Sequence, residues 1–489
     1  MDKEQIFKEI VDIVGPENVS SEPEDLIPYM RDAYTILMHE SPSMPDFVVL
    51  PESKEEILKI IKLANKYKIP VYPRSFGVNI ASSAVPYKGG LILDLKRMNR
   101  IIEINEETMT ATVEPGVSWG KLRKEARKKG LDIIPILGPY EVGPVGNFLL
   151  TNITAYSTKY PADRAVTLEV ILPNGEIIRT GSQSILSGEK LNPYFRYAYG
   201  PDLTGLFRGS LGNFGVITKL VIRLRPLAEV EKNVGYKFED LDLVLKTLQK
   251  IERLEITRHS WIFNKYLALH IFLHPEKIRI KDEVKTFLAN FPTYIYVVGL
   301  GGKSKQVTLY EEIIEEEIKN EACEKVEFDR EMEKIFNEVC EGASQKVIRM
   351  FVPYAGFAAV IGCVPISRVK GMVNTVKELI KKHDLKDPVT NEQLEPEIII
   401  IPYDRGSTVY VEQELLYNPV DKTSIEKVRN CLRECYRELL IKYGAVHTMP
   451  NKSLLRFMLP GNVKLLTGIK KIVDPNGIFM PGGPYSVEV

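Results

Sequence analysis

The sequence predicts an α+β fold in two parts, and three observations support this prediction. At 489 residues, the chain is long enough to form two or three domains with separate cores. The first half alternates short apolar strands with helical patterns at βαβ spacing, and loops that contain glycine follow the strands. The second half mixes helices and strands without that spacing, which is typical of an antiparallel sheet with helices packed on it.

Composition argues against several classes of function. The chain has 65 Lys and Arg against 65 Asp and Glu, and this zero net charge argues against a nucleic-acid partner. We find no apolar signal core at the start and no apolar run long enough to span a bilayer, so we expect a cytoplasmic protein. The five cysteines form no Cys-x-x-Cys pair, so we expect free thiols, no metal site and no iron–sulfur cluster.

The first predicted elements are a helix over Lys3–Val14 and a βαβ unit that follows it. Ser53 precedes Glu56 by three residues, a spacing typical of a capping box at a helix N-terminus. That helix continues to about Tyr67, because apolar residues recur on one of its faces. A strand over residues 70–73 completes the unit.

The loop after this strand, Arg74-Ser-Phe-Gly-Val-Asn-Ile80, is a candidate anion-binding loop. Successive backbone N–H groups converge on an anion where a strand enters a loop rich in Gly, Ser and Asn. A simple turn at Gly77 is the alternative interpretation.

A second candidate loop spans residues 136–154. It is interrupted by glycines and is too apolar for a disordered segment, so we favour a function over a plain surface loop. Three side chains near its end are able to donate hydrogen bonds to phosphate or ribitol oxygens: Thr151, Asn152 and Thr154.

The most informative stretch is the glycine-rich segment from Gly200 to Leu220, which continues into an alternating apolar strand from Val216 to Leu224 that Pro226 stops. Four glycines beside a strand that looks buried indicate that backbone passes close to another group. The alternative is a turn that packs against its own sheet.

The residues themselves add a resemblance. The block DLTGLFRGSLGNFGVITKLVIRLRP, residues 202–226, resembles the FAD-binding oxidoreductases of the vanillyl-alcohol oxidase and p-cresol methylhydroxylase (PCMH-type) superfamily. The order of elements is similar along nearly the whole chain, and the final IKKIVDPNGIFMPG, residues 469–482, resembles the family's closing segment. The N-terminal half also looks like the flavin subunits of glycolate and D-lactate dehydrogenases.

The resemblance implies an FAD cofactor held by the three loops. In the family, the first loop holds the pyrophosphate and the second runs beside the flavin ring, although Ser75 stands here where a glycine is usual. The residues implied in cofactor binding are Pro73, Arg74, Ser75, Phe76, Gly77, Val78, Asn79, Ile80, Gly138, Pro139, Gly143, Gly146, Asn147, Thr151, Asn152, Thr154, Asp202, Gly212, Gly215, Val216 and Ile217.

The resemblance also implies two domains: an FAD-binding domain over residues 1–228, completed by 456–489, and a cap over 229–455 with an antiparallel sheet and helices. Within the cap we expect strands over 260–264, 267–273 and 293–298. Gly299-Leu-Gly-Gly302 lacks the glycine spacing of a dinucleotide loop, so we interpret it as a strand-to-helix turn.

Four residues of the cap are candidates for catalysis: Arg405, Tyr410, Glu412 and His447. Period-two alternation places Tyr410 and Glu412 on one face of a strand, together with Glu414. That polar face is either exposed to solvent, the reading we slightly favour, or a wall of the substrate site. His447 lies where phenol oxidisers of the family carry a Tyr-Arg pair, and it is a structural residue in the alternative reading.

The function implied is oxidation of an alcohol-type small molecule, either a phenolic alcohol or a 2-hydroxy acid, with hydride transfer to FAD. Electrons then pass to a separate iron–sulfur or other acceptor protein, or to dioxygen, because the chain has no cluster of its own. We expect a homo-oligomer or a subunit of a complex. The alternatives are a non-catalytic or electron-transfer subunit of flavoprotein fold and, more weakly supported, a carbohydrate oxidase.

Overall fold

The structure, a computed structural model, describes residues 3–32, 35–38, 43–78, 85–134, 139, 141–149, 164–185, 193–340, 355–446 and 452–486. Three sheets organise these residues, with four, six and seven strands. The N-terminal half of the chain builds the first two sheets, and the C-terminal half builds the third. Among the described helices, none is both long and apolar enough to cross a membrane.

The first sheet has the strand order β1-β2-β4-β3, and its pairs β2–β4 and β3–β4 are parallel. Parallel neighbours require crossover connections, as the predicted βαβ spacing supplies. The strands are β1 Val19–Ser20, β2 Phe47–Val49, β3 Val71–Arg74 and β4 Leu91–Asp94. The helices of this region are α1 Lys3–Val14, α2 Pro23–Leu26, α3 Thr35–Met38 and α4 Lys54–Tyr67.

Helix α4 begins and ends as its sequence predicts. The Ser53 hydroxyl accepts a hydrogen bond from the backbone N–H of Glu56 at 3.2 Å. The Glu56 carboxylate reaches back to the N–H of Glu52 at 2.9 Å, one residue before the expected partner of a capping box. Its apolar face, with Ile57, Ile60 and Ile61, is fully buried against the first sheet.

The second sheet is antiparallel, in the order β5-β6-β10-β8-β9, and β7 pairs with the far end of β10. Strand β10 is central because its 11 residues pair with three other strands. The strands are β5 Ile101–Asn105, β6 Thr110–Val113, β7 Leu131–Ile133, β8 Ala165–Ile171, β9 Ile177–Arg179 and β10 Val216–Pro226. The helices are α5 Trp119–Arg127, α6 Pro144–Leu149 and α7 Leu203–Phe207.

The third sheet, here called the cap sheet, has the order β14-β11-β13-β12-β16-β17-β15 with antiparallel pairs throughout. Its strands are β11 Val230–Phe238, β12 His259–Asn264, β13 Tyr294–Gly302, β14 Glu324–Lys325, β15 Gly356–Pro365, β16 Glu397–Tyr403 and β17 Thr408–Tyr417. Its helices are α8 Leu241–Glu252, α9 Lys265–Phe272, α10 Lys281–Asn290, α11 Ser304–Ile318, α12 Arg330–Cys340, α13 Val369–Lys382 and α14 Lys422–Tyr443. The antiparallel cap predicted from the sequence is therefore present.

Two local predictions for the cap are wrong. Residues 267–273 are not a strand, because Asn264 caps a helix there and accepts a hydrogen bond from the N–H of Leu267 at 3.2 Å. Most of α9 is apolar and buried, so its sequence has no periodicity that separates helix from strand. The segment Gly299–Gly302 is not a turn but the end of β13, paired with β11 and, at Gly299, with β12.

The last described residues return to the first half of the chain. After α15, Pro460–Val473, the backbone of Met480 donates to Val71 at 3.0 Å, and Val71 donates to Ile478 at 2.8 Å. The end of the chain therefore lies beside β3, the strand that leads into the first candidate loop.

Candidate active site

The first candidate loop is shaped by the side chain of Arg74. Its guanidinium lies 4.7 Å from the ring centre of Tyr29, whose hydroxyl donates to buried Asp94 at 2.7 Å. Burial lowers the pKa of Arg74, and the nearby Asp94 and Tyr29 oppose that shift. Gly77 has a φ of 69°, and a Cβ there would overlap the Arg74 guanidinium. The loop therefore folds back onto its own arginine, which only glycine permits at this position.

The first and second candidate loops meet at Gly143. A Cβ at this position would lie 2.8 Å from the Phe76 ring and 2.8 Å from the carbonyl oxygen of Val117. The adjacent Ser75 hydroxyl donates to the carbonyl of Pro115 at 2.6 Å. The serine that replaces the usual glycine therefore fixes the loop to the turn before α5.

The glycine-rich segment ends against the same region. Gly212 has a φ of 77° and faces the ring of Pro73, so this segment lies against the strand that enters the first loop. Gly215 has a φ of 140°, and a Cβ there would overlap the carbonyl oxygen of Ile171. The following residues, Val216 and Ile217, are buried in β10 beside β8. The three predicted loops therefore converge, apart from their residues outside the described ranges.

Buried polar atoms at this place fit a bound cofactor. Ser210 Oγ and Asn213 Oδ1 are buried and accept or donate no hydrogen bond among the described residues, and neither does Trp119 Nε1. Buried polar atoms without partners are costly and uncommon in native proteins. An extended ligand rich in hydroxyl and phosphate oxygens, as FAD is, would satisfy such atoms.

The remaining predicted cofactor residues fall into three groups. Gly146 and Asn147 lie in α6, Pro139 is buried, and Val78 is exposed. The carboxylate of Asp202 is already engaged, because it caps α7 at the N–H of Gly205 and pairs with Arg196 at 2.8 Å. Six predicted residues lie outside the described ranges, as does the catalytic candidate His447: Asn79, Ile80, Gly138, Thr151, Asn152 and Thr154.

In the cap, the structure brings Tyr410 and Glu412 together. The Tyr410 hydroxyl donates to Glu412 Oε2 at 2.6 Å, and both side chains are buried. Burial raises the pKa of Glu412 although the bond from Tyr410 opposes it, and burial followed by the charge of Glu412 raises the pKa of Tyr410. The solvent-exposed reading of this strand face is therefore wrong.

Two further carboxyl groups complete this cluster: Glu414, which the alternation placed on this face but which was not a catalytic candidate, and Glu397, which the sequence analysis missed. Glu414 follows Glu412 on the same face of β17 and pairs across the sheet with Glu397. Burial, and then the charges of Glu397 and Glu412, raise the pKa of Glu414 well above its usual value. His270 Nε2 lies 3.0 Å from Glu397 Oε1. The sequence did contain one signal for Glu397, because it is a charged residue at the start of the otherwise apolar strand Glu397–Tyr403.

Two arginines of the N-terminal half act on the same face of the cap sheet. Burial raises the pKa of Tyr403, the charge of Cys363 adds to that shift, and the charge of buried Arg164 opposes it. Burial lowers the pKa of Arg164 to about 9, while Tyr403 opposes the shift. Burial raises the pKa of Cys363 to about 12, and Arg208 opposes that shift. This face therefore combines tyrosine hydroxyls, buried carboxyls and nearby guanidinium groups.

Arg405 lies apart from this group. It occupies a left-handed backbone conformation with a φ of 57° in the turn between β16 and β17, its side chain is about half exposed, and it pairs with Glu255. Its role as a substrate clamp stays a prediction, and Arg164 is the better placed guanidinium. Among the described residues, no three His, Cys, Asp or Glu side chains are arranged to hold a metal ion.

Comparison with known proteins gives two kinds of match. The family described as FAD binding domain matches residues 45–181. The glycolate oxidase subunit GlcD of Bacillus subtilis is 28% identical over 99% of this chain and 97% of its own length. The 4-cresol dehydrogenase flavoprotein subunit of Pseudomonas putida is 25% identical over 96% of this chain and 93% of its own length.

The fold is similar to solved structures. A crystal structure of p-cresol methylhydroxylase with substrate bound aligns with a TM-score of 0.85 and 22% identity, over 99% of this chain and 96% of that one. The 4-ethylphenol oxidase of Gulosibacter chungangensis aligns with a TM-score of 0.83 and 22% identity, over 98% and 96%. These matches confirm the predicted PCMH-type α+β fold, the FAD cofactor and the class of FAD-dependent oxidoreductase.

Proposed function

We propose that this chain, which belongs to the FAD-binding oxidoreductases of the vanillyl-alcohol oxidase and p-cresol methylhydroxylase superfamily, oxidises a phenolic alcohol or alkylphenol. The observation that carries this proposal is the buried Tyr410–Glu412 pair on the face of the cap sheet that Arg164 approaches through Tyr403. An aromatic substrate suits a wall that contains two tyrosine rings, Tyr403 and Tyr410, with centres 6.5 Å apart.

In this proposal, residues 1–228 with 456–489 bind FAD, and residues 229–455 form the cap over it. Gly143 lets the second loop approach Phe76 of the first loop closely, and Ser210 and Asn213 offer buried atoms that the cofactor would satisfy. Lys470 near the end of α15 donates hydrogen bonds to Asp474 and to the carbonyl of Asn213, and these bonds hold the closing segment, residues 469–482, in place. When bound, FAD supplies the hydride acceptor for the reaction.

The side chains on the cap sheet and Arg164 beside it would accept the hydroxyl proton of the substrate and balance the negative charge left on its oxygen. Arg164 balances the negative charge of a substrate oxygen, because a buried guanidinium interacts strongly with an anion in a site of low dielectric constant. Glu412 accepts the hydroxyl proton, either directly or through Tyr410. The raised pKa of Glu412 suits a general base that works near neutral pH.

A 2-hydroxy acid is the second candidate substrate. The GlcD relative is similar to this chain over nearly its full length, and its name refers to glycolate. A buried guanidinium binds a carboxylate as well as it binds a phenolate. The aromatic wall has no evident partner on such a small acid, and therefore we rank this substrate second.

We also propose that the chain works as the flavoprotein subunit of a complex or as a homo-oligomer, and that it passes electrons to an acceptor protein or to dioxygen. Both relatives with near full-length similarity are named as subunits. A cytoplasmic location agrees with the thiols, because Cys431 and Cys435 are buried free thiols whose sulfur atoms form a hydrogen bond at 3.9 Å and no disulfide.

The test is an anaerobic substrate screen on the purified holoprotein. A visible spectrum before and after acid precipitation first establishes bound FAD and whether its attachment is covalent. We then add 4-alkylphenols, vanillyl alcohol, glycolate or D-lactate and follow loss of the oxidised flavin band. We expect phenolic substrates to reduce the flavin fastest, and Glu412→Gln to slow that reduction by about 10²-fold or more.

Glu426→Gln is the matched control, because Glu426 is exposed on α14, away from the buried carboxyl groups of the cap sheet. We expect this variant to reduce at the wild-type rate. Faster reduction by glycolate or D-lactate than by any phenol would replace the first substrate class with the second. Bound FAD that none of these compounds reduces would contradict the proposal and support the non-catalytic subunit.

A further inference from the structure

Helix α15 and the turn before it expose large apolar side chains that the proposed FAD site does not use. Leu459, Leu465 and Ile472 are 72%, 66% and 77% exposed, and Phe457 is 38% exposed. Single exposed apolar side chains are common on soluble proteins, but several of them on one short segment usually mark a surface that binds another molecule.

One side of α15 is anchored, and the opposite side is open. Lys470 is buried and donates hydrogen bonds to two backbone carbonyl groups of the FAD-binding half. The helical repeat places Leu465 and Ile472, which are seven residues apart, together on the other side. A Cβ at Gly461 or Gly468 would meet no atom within 4 Å, so this outer side faces open space.

Basic side chains accompany the exposed apolar ones, and acidic residues are absent from this part of the sequence. Residues 439–473 contain no Asp or Glu, although the whole chain has as many acidic as basic residues. Lys464 and Lys471 are exposed and flank the apolar pair, because each directly precedes one of its members. Arg456 is also exposed, and its guanidinium lies 4.9 Å from the ring centre of Phe457. We call the four exposed apolar residues and these three basic residues the α15 surface.

Three kinds of partner would suit a basic and apolar surface: a second copy of this chain, an acidic protein or an anionic lipid bilayer. A second copy packed helix against helix would bring like charges together, which is unfavourable. Protein interfaces are poor in Lys and favour aromatic residues, whereas the exposed face of the helix itself consists of Leu, Ile and Lys. Lysines beside protruding aliphatic side chains are typical of helices that lie in the surface of a bilayer.

From the exposure and the charge of this segment, we propose that the α15 surface binds the anionic surface of a lipid bilayer, so that the protein associates peripherally with a membrane. Leu459, Leu465 and Ile472 would enter the boundary between headgroups and acyl chains. Lys464 and Lys471 would stay at the level of the anionic headgroups, which attract them. Such binding needs no membrane-spanning helix, and none is found among the described helices.

The test measures binding of the FAD-loaded protein to lipid vesicles by co-sedimentation. We expect binding to vesicles made of equal parts of phosphatidylcholine and phosphatidylglycerol, but not to phosphatidylcholine alone, and weaker binding as the salt concentration rises. Leu465→Gln combined with Ile472→Gln should weaken binding by about tenfold or more, because the apolar area that enters the bilayer is lost. Lys464→Gln combined with Lys471→Gln should weaken it by about 20-fold.

Lys305→Gln combined with Leu309→Gln is the matched control, because it exchanges the same residue types at exposed positions of α11 in the cap. It should bind vesicles as the wild type does. All the exchanged side chains are exposed, so every variant should keep the wild-type FAD content and melting temperature. A wild type that does not bind anionic vesicles, or unchanged binding in both double variants of α15, would overturn the proposal.

Fluorescence of Leu465→Trp tests directly whether this face enters the bilayer. The native Trp119 and Trp261 are 1% and 0% exposed, so acrylamide should quench mainly the indole at position 465. We expect anionic vesicles to protect this indole and phosphatidylcholine vesicles to leave it accessible. Quenching that anionic vesicles do not change would contradict the proposal.

Sedimentation velocity without lipid tests the second copy as the occupant. We expect Leu465→Gln combined with Ile472→Gln to leave the oligomeric state of the protein unchanged. An oligomer that this double variant dissociates would show that the α15 surface is an interface between copies of the chain, and would overturn the proposal.

Discussion

The two halves of this molecule hold their candidate residues by different means. At the cofactor loops, backbone positions are decisive: Gly77, Gly143, Gly212 and Gly215 allow contacts that a Cβ would obstruct or conformations that other residues rarely adopt. On the cap sheet, ionisable side chains are decisive, with three carboxyl groups buried side by side and a tyrosine bonded to one of them.

We therefore expect substitutions in the two halves to have different effects. Where a Cβ would meet backbone, as at Gly215 against the carbonyl oxygen of Ile171, no flexible side chain is able to move aside, so one added methyl group displaces the strands themselves. In a cluster of ionisable side chains, one residue can be replaced by another of similar shape without disturbing the fold. The replacement nevertheless shifts the pKa values of the neighbouring groups and changes the chemistry that they support.

The largest effect is expected for Gly215→Ala. The added Cβ would overlap the backbone oxygen of Ile171, which has no flexible end that moves aside, and the φ of 140° is strained for alanine. We expect no accumulation of folded, FAD-bound protein, as measured by expression and bound flavin. Gly468→Ala is the control, because its Cβ would meet open space on α15, and it should retain FAD fully. Normal flavin content in Gly215→Ala would contradict this rigid backbone contact.

A smaller but still large loss is expected for Asp474→Asn. Lys470 is buried and donates to Asp474 at 2.6 Å, to the carbonyl of Asn213 at 2.7 Å and to that of Phe479 at 2.9 Å. Removing the carboxylate charge leaves the ammonium group unpaired, which costs about 3 kcal/mol in the free energy of unfolding. Denaturant unfolding measures this loss.

The exposed Glu426→Gln serves again as the control for Asp474→Asn, with an expected change below about 0.5 kcal/mol. Equal stability of Asp474→Asn and the wild type would show that the closing segment is not held by this buried pair.

Tyr410→Phe should keep the cofactor half intact and impair the cap. It removes only the hydroxyl that donates to Glu412, so FAD content should stay at the wild-type level. We expect kcat for the best substrate to fall by about 10²-fold, which corresponds to about 2.7 kcal/mol of transition-state stabilisation. Tyr199→Phe, at an exposed tyrosine, should leave kcat unchanged. An unchanged kcat in Tyr410→Phe would remove this hydroxyl from the mechanism.

The smallest effect concerns the pH dependence of stability. Because the folded pKa of Glu414 is raised, the folded protein binds a proton that the unfolded chain releases above about pH 4.3. The free energy of unfolding therefore falls as pH rises from there toward the folded pKa. Glu414→Gln removes this loss and should be more stable than the wild type by ~1 kcal/mol or more at pH 8, with little difference near pH 4.

Urea unfolding of both proteins across this pH range measures the difference. Glu426→Gln should show the wild-type slope with pH. Parallel curves for Glu414→Gln and the wild type would mean that Glu414 titrates normally in the folded protein, and that the cap cluster is less isolated from water than the structure indicates.

The difference between backbone-determined loops and buried side-chain clusters also explains which features could be predicted from the sequence. The fold of the FAD-binding half was predictable because glycines, turns and helix caps leave local signals in the sequence. Examples are Ser53 before α4 and the glycine-rich segment before β10. The face of β17 was not predictable, because alternation identifies a polar face but not what covers it. Glu397 was not recognised as part of the buried cluster, because it begins a strand that is otherwise apolar. Helix α9 was predicted as a strand, because most of its residues are apolar.

The central claim is that a bound FAD is reduced by a substrate held against the Tyr410–Glu412 face. Anaerobic mixing of the FAD-loaded protein with a 4-alkylphenol tests it most directly, with loss of the oxidised flavin band as the signal. We expect rapid bleaching in the wild type and bleaching slower by about 10²-fold or more in Glu412→Gln at equal FAD content. Equal rates in the two proteins, or bleaching by neither phenols nor 2-hydroxy acids, would contradict it.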